Sequence, residues 1–338
     1  MTRILVTGGF GFLGTHLVEE LIAQNDTHVH ILDDLSTSPI EVESFLAEIG
    51  YPKNLTYTIK SIAQAFPALK KEHFDQVYHL ASVVGPAGVL SHAGRIVQAI
   101  VDETYRIMDL ALAWKARLVD VSTSEVYGGV YQEACTEQHA KVFPSETTIR
   151  MEYGVGKLAA EVALVNLCRV HGLKACIVRP FNISGPRQSG KGGFVLPRFV
   201  EQAIAGKPIT VFGDGSQIRA FTHVKDMAHG VVVTMAHGRI GEIYNLGNAR
   251  NKTTILELAR RVVELAESRS AIAFVNPKTL FGPLYAEVGD KHPDAAKAMR
   301  ELGWSAQFDI DTVVRDAIEY MRSHPPIAKS SRKVKVAI

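Results

Sequence analysis

Ile4-Leu5-Val6-Thr7-Gly8-Gly9-Phe10-Gly11-Phe12-Leu13-Gly14 is the stretch on which the reading of this chain turns. Its first four residues predict a short buried strand, and the glycines that follow predict a tight turn into a helix. The run satisfies G-x-G-x-x-G at Gly9, Gly11 and Gly14, and also the wider G-x-x-G-x-x-G at Gly8, Gly11 and Gly14. Without side chains the backbone can turn sharply and approach a pyrophosphate, which then sits at the positive end of the helix. About 20 residues further on, where an acid should meet ribose hydroxyls, a second strand-like run ends in Asp33-Asp34. Asp33 lies at the strand tip, and a carboxylate there repels a 2′-phosphate. NAD, rather than NADP, is the expected cofactor.

Outward from this stretch, short β-branched runs alternate with helical patterns. Strands are expected at 4–7, 29–32, 55–59, 76–80, 118–122 and 175–179, with helices such as 13–24 and 95–114 between them. Such alternation is the pattern of an α/β fold, a doubly wound parallel sheet with helices on both faces. At 338 residues the chain is long for a single core, so a second, smaller domain is expected. From Pro180 onward Gly and Pro crowd 185–197 and 206–215, which predicts a smaller C-terminal lobe against the sheet's C-terminal edge, where open α/β folds bind ligands. The expected division is 1–180 for the dinucleotide domain and 181–324 mainly for a substrate lobe. Segments around 215–245 are expected to return to the first domain, and 325–338 to form a basic, disordered tail.

Composition narrows the classes of function. Lys and Arg number 37 against 35 Asp and Glu, a net charge of +2 that points neither to nucleic acid nor to an anionic membrane. No apolar run approaches the roughly 18 to 20 residues of a membrane span, and the apolar N-terminal stretch is too short for a signal peptide. Cys135, Cys168 and Cys176 are odd in number and lack C-x-x-C spacing, so neither a disulfide framework nor a zinc site is indicated and a cytoplasmic location is expected. The 13 histidines form no H-x-x-x-H or H-E-x-x-H pair, so no metal is expected.

Tyr153 and Lys157 stand four apart, on one face of an expected helix. A free tyrosine, with a pKa of about 10, is a poor base at neutral pH. A neighbouring ammonium, together with the positive charge of oxidised nicotinamide, favours the phenolate. Ser122-Thr123-Ser124-Glu125-Val126-Tyr127-Gly128 follows the fifth expected strand, at the rim where the reactive ring of the cofactor should lie. Thr123 can donate to a sugar oxygen while Tyr153 takes its proton.

With these residues in hand, the chain resembles the extended short-chain dehydrogenase/reductases, the group of nucleotide-sugar epimerases, dehydratases and decarboxylases. The likeness runs from Ile4 to about Tyr320. It includes Tyr78-His79-Leu80-Ala81-Ser82, Arg179-Pro180-Phe181-Asn182, Gly185-Pro186-Arg187 and the run from Gly213 to Phe221. It continues through Asn245-Leu246-Gly247-Asn248, Thr254-Ile255-Leu256-Glu257-Leu258 and Leu302-Gly303-Trp304. The resemblance implies a Rossmann-type sheet and an NAD site made by Gly8, Gly11, Phe12, Leu13, Gly14, Asp33, Ser61, Ile62, Leu80, Ala81, Ser82, Tyr153 and Lys157. It implies catalysis by Thr123, Glu125, Tyr153 and Lys157, and a nucleotide-sugar site, UDP-linked, touching Val84, Gly85, Asn182, Leu196, Val211 and Arg219. Asn182 and Arg219 would hold the diphosphate, with Arg219 bonding phosphate oxygens in a bidentate way.

The sequence departs from the family pattern in three places. Lys60-Ser61-Ile62 stands where an adenine-contacting Gly-Asp is common, so Ser61 or a backbone group must substitute. Glu287 stands where many epimerases carry a phosphate-binding arginine, which leaves that charge to Lys291 or Arg219. The loop Val83-Val84-Gly85-Pro86-Ala87-Gly88 differs from the Pro-containing loop of the decarboxylases. Oxidation at a sugar C4 opens three routes: epimerisation, 4,6-dehydration, or loss of CO2 from a C6 carboxylate. Glu125 beside Thr123, Arg150, and the segment 206–221 most resemble UDP-glucuronate decarboxylases, with a UDP-sugar 4-epimerase as the nearest alternative. By the same resemblance a homodimer is expected on helices 95–114 and 153–171, with Ile96, Ile100, Ile107, Leu110, Leu158, Val162 and Val165 as its apolar stripe.

Overall fold

The computed structural model describes residues 1–82, 85, 88–89, 92–129, 131–143, 148–190, 193–281 and 289–324. Seven strands form the central sheet: β1 Thr2–Thr7, β2 Thr27–Asp33, β3 Leu55–Ile59, β4 Gln76–His79, β5 Arg117–Val121, β6 Lys174–Pro180 and β7 Ile243–Leu246. Their order is β7-β6-β5-β4-β1-β2-β3, parallel throughout. The order reverses between β1 and β4, which opens a crevice at the C-terminal ends of those strands, the place where such sheets take ligands. The first six strands lie where the apolar runs place them. The seventh arrives from far along the chain and pairs with β6.

Alternation along the strands sorts the core. Ile4, Val6, Val29, Ile31, Val119 and Val178 pack on one face, against Leu17, Val18 and Leu21 of α1 (Phe12–Ile22). Leu5, Val77, Leu118 and Ile177 take the other face. There they meet α3 (Ile62–Leu69), which follows α2 (Val42–Glu48), and then α4 (Ile96–Trp114) and α5 (Ile149–His171). A third apolar cluster builds the C-terminal lobe from α6 (Val195–Ile204), α8 (Ile255–Leu265) and α10 (Ile310–Ser323). Between these come α7 (Val224–His237), which returns to pack on α1, and α9 (Ala296–Leu302), which packs beside β7.

The apolar stripe that the sequence offers to a second copy is largely used inside the subunit. Ile96, Ile100, Ile107 and Leu110 are buried, Leu158 and Val165 pack on the core, and only Val162 is exposed. The outer side of the α4–α5 pair instead shows Tyr105, Val155, Val162 and Val170. No helix among the described residues is long and apolar enough to cross a membrane. The three cysteines are free.

Candidate active site

The glycine loop closes onto its own backbone. Gly8 has φ +72°, and a Cβ there would lie 2.8 Å from the Ala81 nitrogen on the neighbouring strand end. A Cβ at Gly14 would fall on the Gly8 carbonyl, so α1 can start against the loop only if position 14 has no side chain. Gly11 caps α1 without a side-chain hydrogen bond, and no acidic residue occupies the first turn. That leaves amide N–H groups and the positive end of the helix dipole facing the crevice. Asp33 ends β2 beside the loop. Its Oδ2 accepts from Phe10 N at 2.9 Å and its Oδ1 from Leu35 N at 2.8 Å. Burial raises its pKa, and the two N–H donors oppose that rise. Across the crevice, the buried Ser82 Oγ has no hydrogen-bond partner among the described residues. A glycine cradle, an uncapped helix start, a carboxylate at the ribose position and an unpaired hydroxyl fit an adenine dinucleotide.

Other residues expected around the cofactor are engaged locally. Ser61 caps α3 in a capping box with Gln64, so its hydroxyl is occupied, and Ile62 is buried. Phe12 packs on the core beside His16, and Leu13 is buried. Leu80 and Ala81 are half-buried at the end of β4. Gly85 has φ +81°, while Val84 lies outside the described residues, as do Glu287 and the tail from residue 325.

Thr123 follows β5 and caps the short 3₁₀ turn Ser124–Tyr127, its Oγ1 accepting from Glu125 N at 3.1 Å. The same side chain is hydrogen-bonded to Tyr153 on α5. Tyr153 is 9% exposed and Lys157 only 2%. Lys157 Nζ donates to Val121 O at 2.9 Å, which fixes the ammonium at the end of β5. Burial pushes the Tyr153 phenol well above its usual range; Thr123 pulls it down, and Glu125 and Asp120 push it further up. In its protein surroundings alone Tyr153 is held as a neutral phenol. Burial also lowers the pKa of Lys157, against the carboxylates of Asp120, Glu161 and Glu103, which favour its charge.

A second buried network lies alongside. Arg179 Nε and Nη2 donate to Glu161 Oε1 and Oε2 at 2.9 and 2.5 Å, and Ser122 Oγ donates to Glu161 Oε1. Arg179 Nη1 donates to Tyr127 OH at 2.8 Å, and that hydroxyl donates to Asn245 Oδ1 at 2.7 Å. This network ties β5, α5, β6 and β7 together below the site. Ser122, Tyr127, Arg179 and Asn245 lie in motifs quoted above and Glu161 does not, and their mutual pairing is invisible in sequence.

The C-terminal lobe brings one charge to the centre. Lys291, itself 2% exposed, donates through Nζ to Glu125 Oε1 at 2.6 Å. Lys291 therefore meets Glu125, the carboxylate expected from the sequence to take part in catalysis. Arg219 Nη1 donates to Ile218 O and Gly289 O, which ties the loop to the segment carrying Lys291. Asn182 Nδ2 donates to Ala220 O at 3.3 Å. Leu196 and Val211 are fully buried in the lobe's core beside Phe199 and Leu258. Arg187 bonds Glu19 and Glu48, closing the lobe onto α1 and α2.

Residues 4–247 match the NAD dependent epimerase/dehydratase family. A UDP-N-acetyl-alpha-D-glucosaminuronate decarboxylase of Bacillus cytotoxicus is 30% identical over 327 residues, covering 95% of this chain and 98% of that protein. UDP-glucuronic acid decarboxylase 1 of Arabidopsis thaliana is 33% identical over 316 residues, covering 91% of this chain and 67% of that protein. Among solved structures, the UDP-glucose 4-epimerase of Thermotoga maritima superposes with a TM-score of 0.83 at 26% identity, over 95% of this chain and 99% of its own. The chain is an NAD-dependent enzyme and belongs to the epimerase/dehydratase family, the extended short-chain dehydrogenase/reductases.

Proposed function

We propose that the enzyme decarboxylates a UDP-linked uronic acid, UDP-glucuronate in the first instance, through a 4-keto intermediate. The observation that carries this reading is the Lys291–Glu125 pair at 2.6 Å beside Thr123, which is hydrogen-bonded to Tyr153. The pair supports a uronate substrate, whose C6 carboxylate has to be attracted and held, and the second carboxylate beside it favours release of CO2. The decarboxylases among the similar proteins point the same way.

NAD, when bound, supplies the acceptor for the C4 hydride and returns that hydride at the end. Tyr153 takes the C4 hydroxyl proton while Thr123 hydrogen-bonds the same oxygen, and Lys157 stabilises the resulting phenolate by its charge. The substrate is then a β-keto acid. Its C5–C6 bond breaks, the electron pair moves into the C4 carbonyl, and CO2 leaves. Tyr153 O–H and Thr123 hold the enolate oxygen. Lys291 attracts the substrate carboxylate, and Glu125 beside it disfavours that charged ground state and organises, through water, protonation at C5. The lobe formed mainly by 181–324 receives the nucleotide sugar. Asp33 selects NAD over NADP.

The second reading, a UDP-sugar 4-epimerase, is favoured by the Thermotoga structure. Incubation with UDP-glucuronate, UDP-glucose and UDP-N-acetylglucosamine, read by product mass, separates the two. Loss of the mass of CO2 from UDP-glucuronate supports decarboxylation, whereas an isomer of unchanged mass transfers the assignment to epimerisation. The exposed Tyr105, Val155, Val162 and Val170 on α4 and α5 support a homodimer through that face. A monomer by light scattering at micromolar concentration would remove the dimer. The three free thiols agree with a reducing, cytoplasmic setting.

A further inference from the structure

A parallel sheet covered on both faces calls for apolar strands, and β5, which opens on the half-buried Arg117, breaks that rule in its fully buried part at Asp120. Within Arg117–Val121, Asp120 stands between Val119 and Val121 and is 1% exposed. It shares the face of Leu118, which packs toward α4 and α5. In register it neighbours His79 on β4, and His79 neighbours Thr7 on β1. Three polar side chains thus form one row across three central strands, under α4 and under α5, which carries Tyr153 and Lys157. Thr7 Oγ1 and His79 Nδ1 are 2.7 Å apart, and Thr104 Oγ1 of α4 lies 3.5 Å from His79 Nε2. The same His79 nitrogen is 4.0 Å from Asp120 Oδ1. Neither carboxylate oxygen of Asp120 accepts a hydrogen bond from a described residue. A buried carboxylate in that condition is costly and calls for a reason.

The charges around it supply one. Lys157 of α5 bonds the carbonyl of Val121, the residue next to Asp120. Glu161 of α5 is neutralised by Arg179 of β6. Glu103 of α4 also favours the charged Lys157, and His79 is held neutral by burial and by Lys157, its pKa lowered to about 3. Of the carboxylates that favour the charged lysine, Asp120 has the largest effect, and it also opposes ionisation of Tyr153.

We propose that Asp120 is a positioning residue for the catalytic pair: its carboxylate, buried beneath Lys157 without a hydrogen bond of its own, keeps a proton on both Lys157 and Tyr153 until the positive cofactor is in place. This rests on the reading of Tyr153 as the base. A negative charge raises every proton-binding equilibrium around it, so its removal must move both groups in the same direction.

The test reads the proteins themselves and needs no sugar substrate. The NAD complexes of the chain and of Asp120→Asn are titrated by tyrosinate absorbance, each against its Tyr153→Phe counterpart, so that only Tyr153 contributes. Removing the carboxylate should shift the Tyr153 step down by about one pH unit, roughly a tenfold gain in tyrosinate at fixed pH. NAD affinity should also begin to fall at a lower alkaline pH, because Lys157 loses its proton sooner. A step present in the chain but unmoved in the variant overturns the proposal and leaves the base intact. No step at all in the parent complex refutes Tyr153 as base, and with it this proposal. If Asp120→Asn does not fold, Asp120→Leu, of similar volume, is read in the same way. If neither folds, infrared difference spectra of the parent chain between acid and neutral pH must show loss of a buried protonated carboxyl, and its absence overturns the proposal.

Discussion

Two polar clusters lie side by side in the core under α5, and they are built on opposite plans. In one, Glu161, Arg179, Tyr127 and Asn245 are joined by short hydrogen bonds, with both carboxylate oxygens of Glu161 occupied. In the other, among the described residues, neither carboxylate oxygen of Asp120 is hydrogen-bonded, His79 meets Thr7 at 2.7 Å but Thr104 only at 3.5 Å, and Lys157 Nζ donates to one backbone carbonyl. A saturated network has nothing left to give a ligand and fixes where strands and helix sit. An under-satisfied one has proton equilibria that remain open to change. The comparison assigns architecture to the first and chemistry to the second.

The comparison breaks most visibly at Tyr153, which stands over the open cluster. Tyr153→Phe should lower turnover by roughly 10² to 10⁴, the worth of a positioned base, while the thermal midpoint moves by no more than about 2–4 °C. A variant that keeps a tenth of the parent rate removes the assignment. Arg179→Met should do the reverse. Both partners of its ion pair are 2% exposed, and stranding Glu161 should cost about 3–5 kcal/mol in denaturant unfolding. A loss below about 1 kcal/mol would mean that the saturated cluster is not the lock described.

Asp120 makes the contrast pH-dependent. Burial pushes its carboxyl up to about 6, so between roughly pH 4 and 6 the folded chain binds a proton that the unfolded chain has released. Stability should therefore fall as pH rises through that window, by up to about 3 kcal/mol. Unfolding of Asp120→Asn across the same range should lack this decline, and parallel profiles for the two proteins would contradict the charge state. The smallest effect is expected at Tyr127. Tyr127→Phe leaves one Arg179 N–H and Asn245 Oδ1 without their partner, at about 1–3 kcal/mol, with the Tyr153 absorbance step unmoved. A moved step would show that the clusters are coupled.

The legibility of the molecule follows the range of the interactions that make each part. The cofactor cradle is made by backbone within one turn, so the spacing of Gly8, Gly11 and Gly14 already contains it. Six strands announce themselves as apolar runs because both faces of the sheet are covered. Tyr153 and Lys157 share a helix face by period alone. β7 is less evident, since four residues with a polar Asn245 carry little pattern, and its place beside β6 is decided by packing.

What the sequence by itself determined is thus the strand–helix alternation, the dinucleotide loop, Asp33 and the Tyr153–Lys157 spacing, all set by contacts within a few residues. Only the tertiary structure decided that Lys291 meets Glu125 across 166 positions, and that Glu161 and Arg179 cancel each other. It also decided that the apolar stripe of α4 faces inward, and that Asp120 lies under Lys157. Charges and hydrogen bonds between distant segments leave no periodic trace, because their partners are chosen by the fold. One visible sign was available, an aspartate between two valines of a central strand. Its meaning depended on the lysine that the fold set above it.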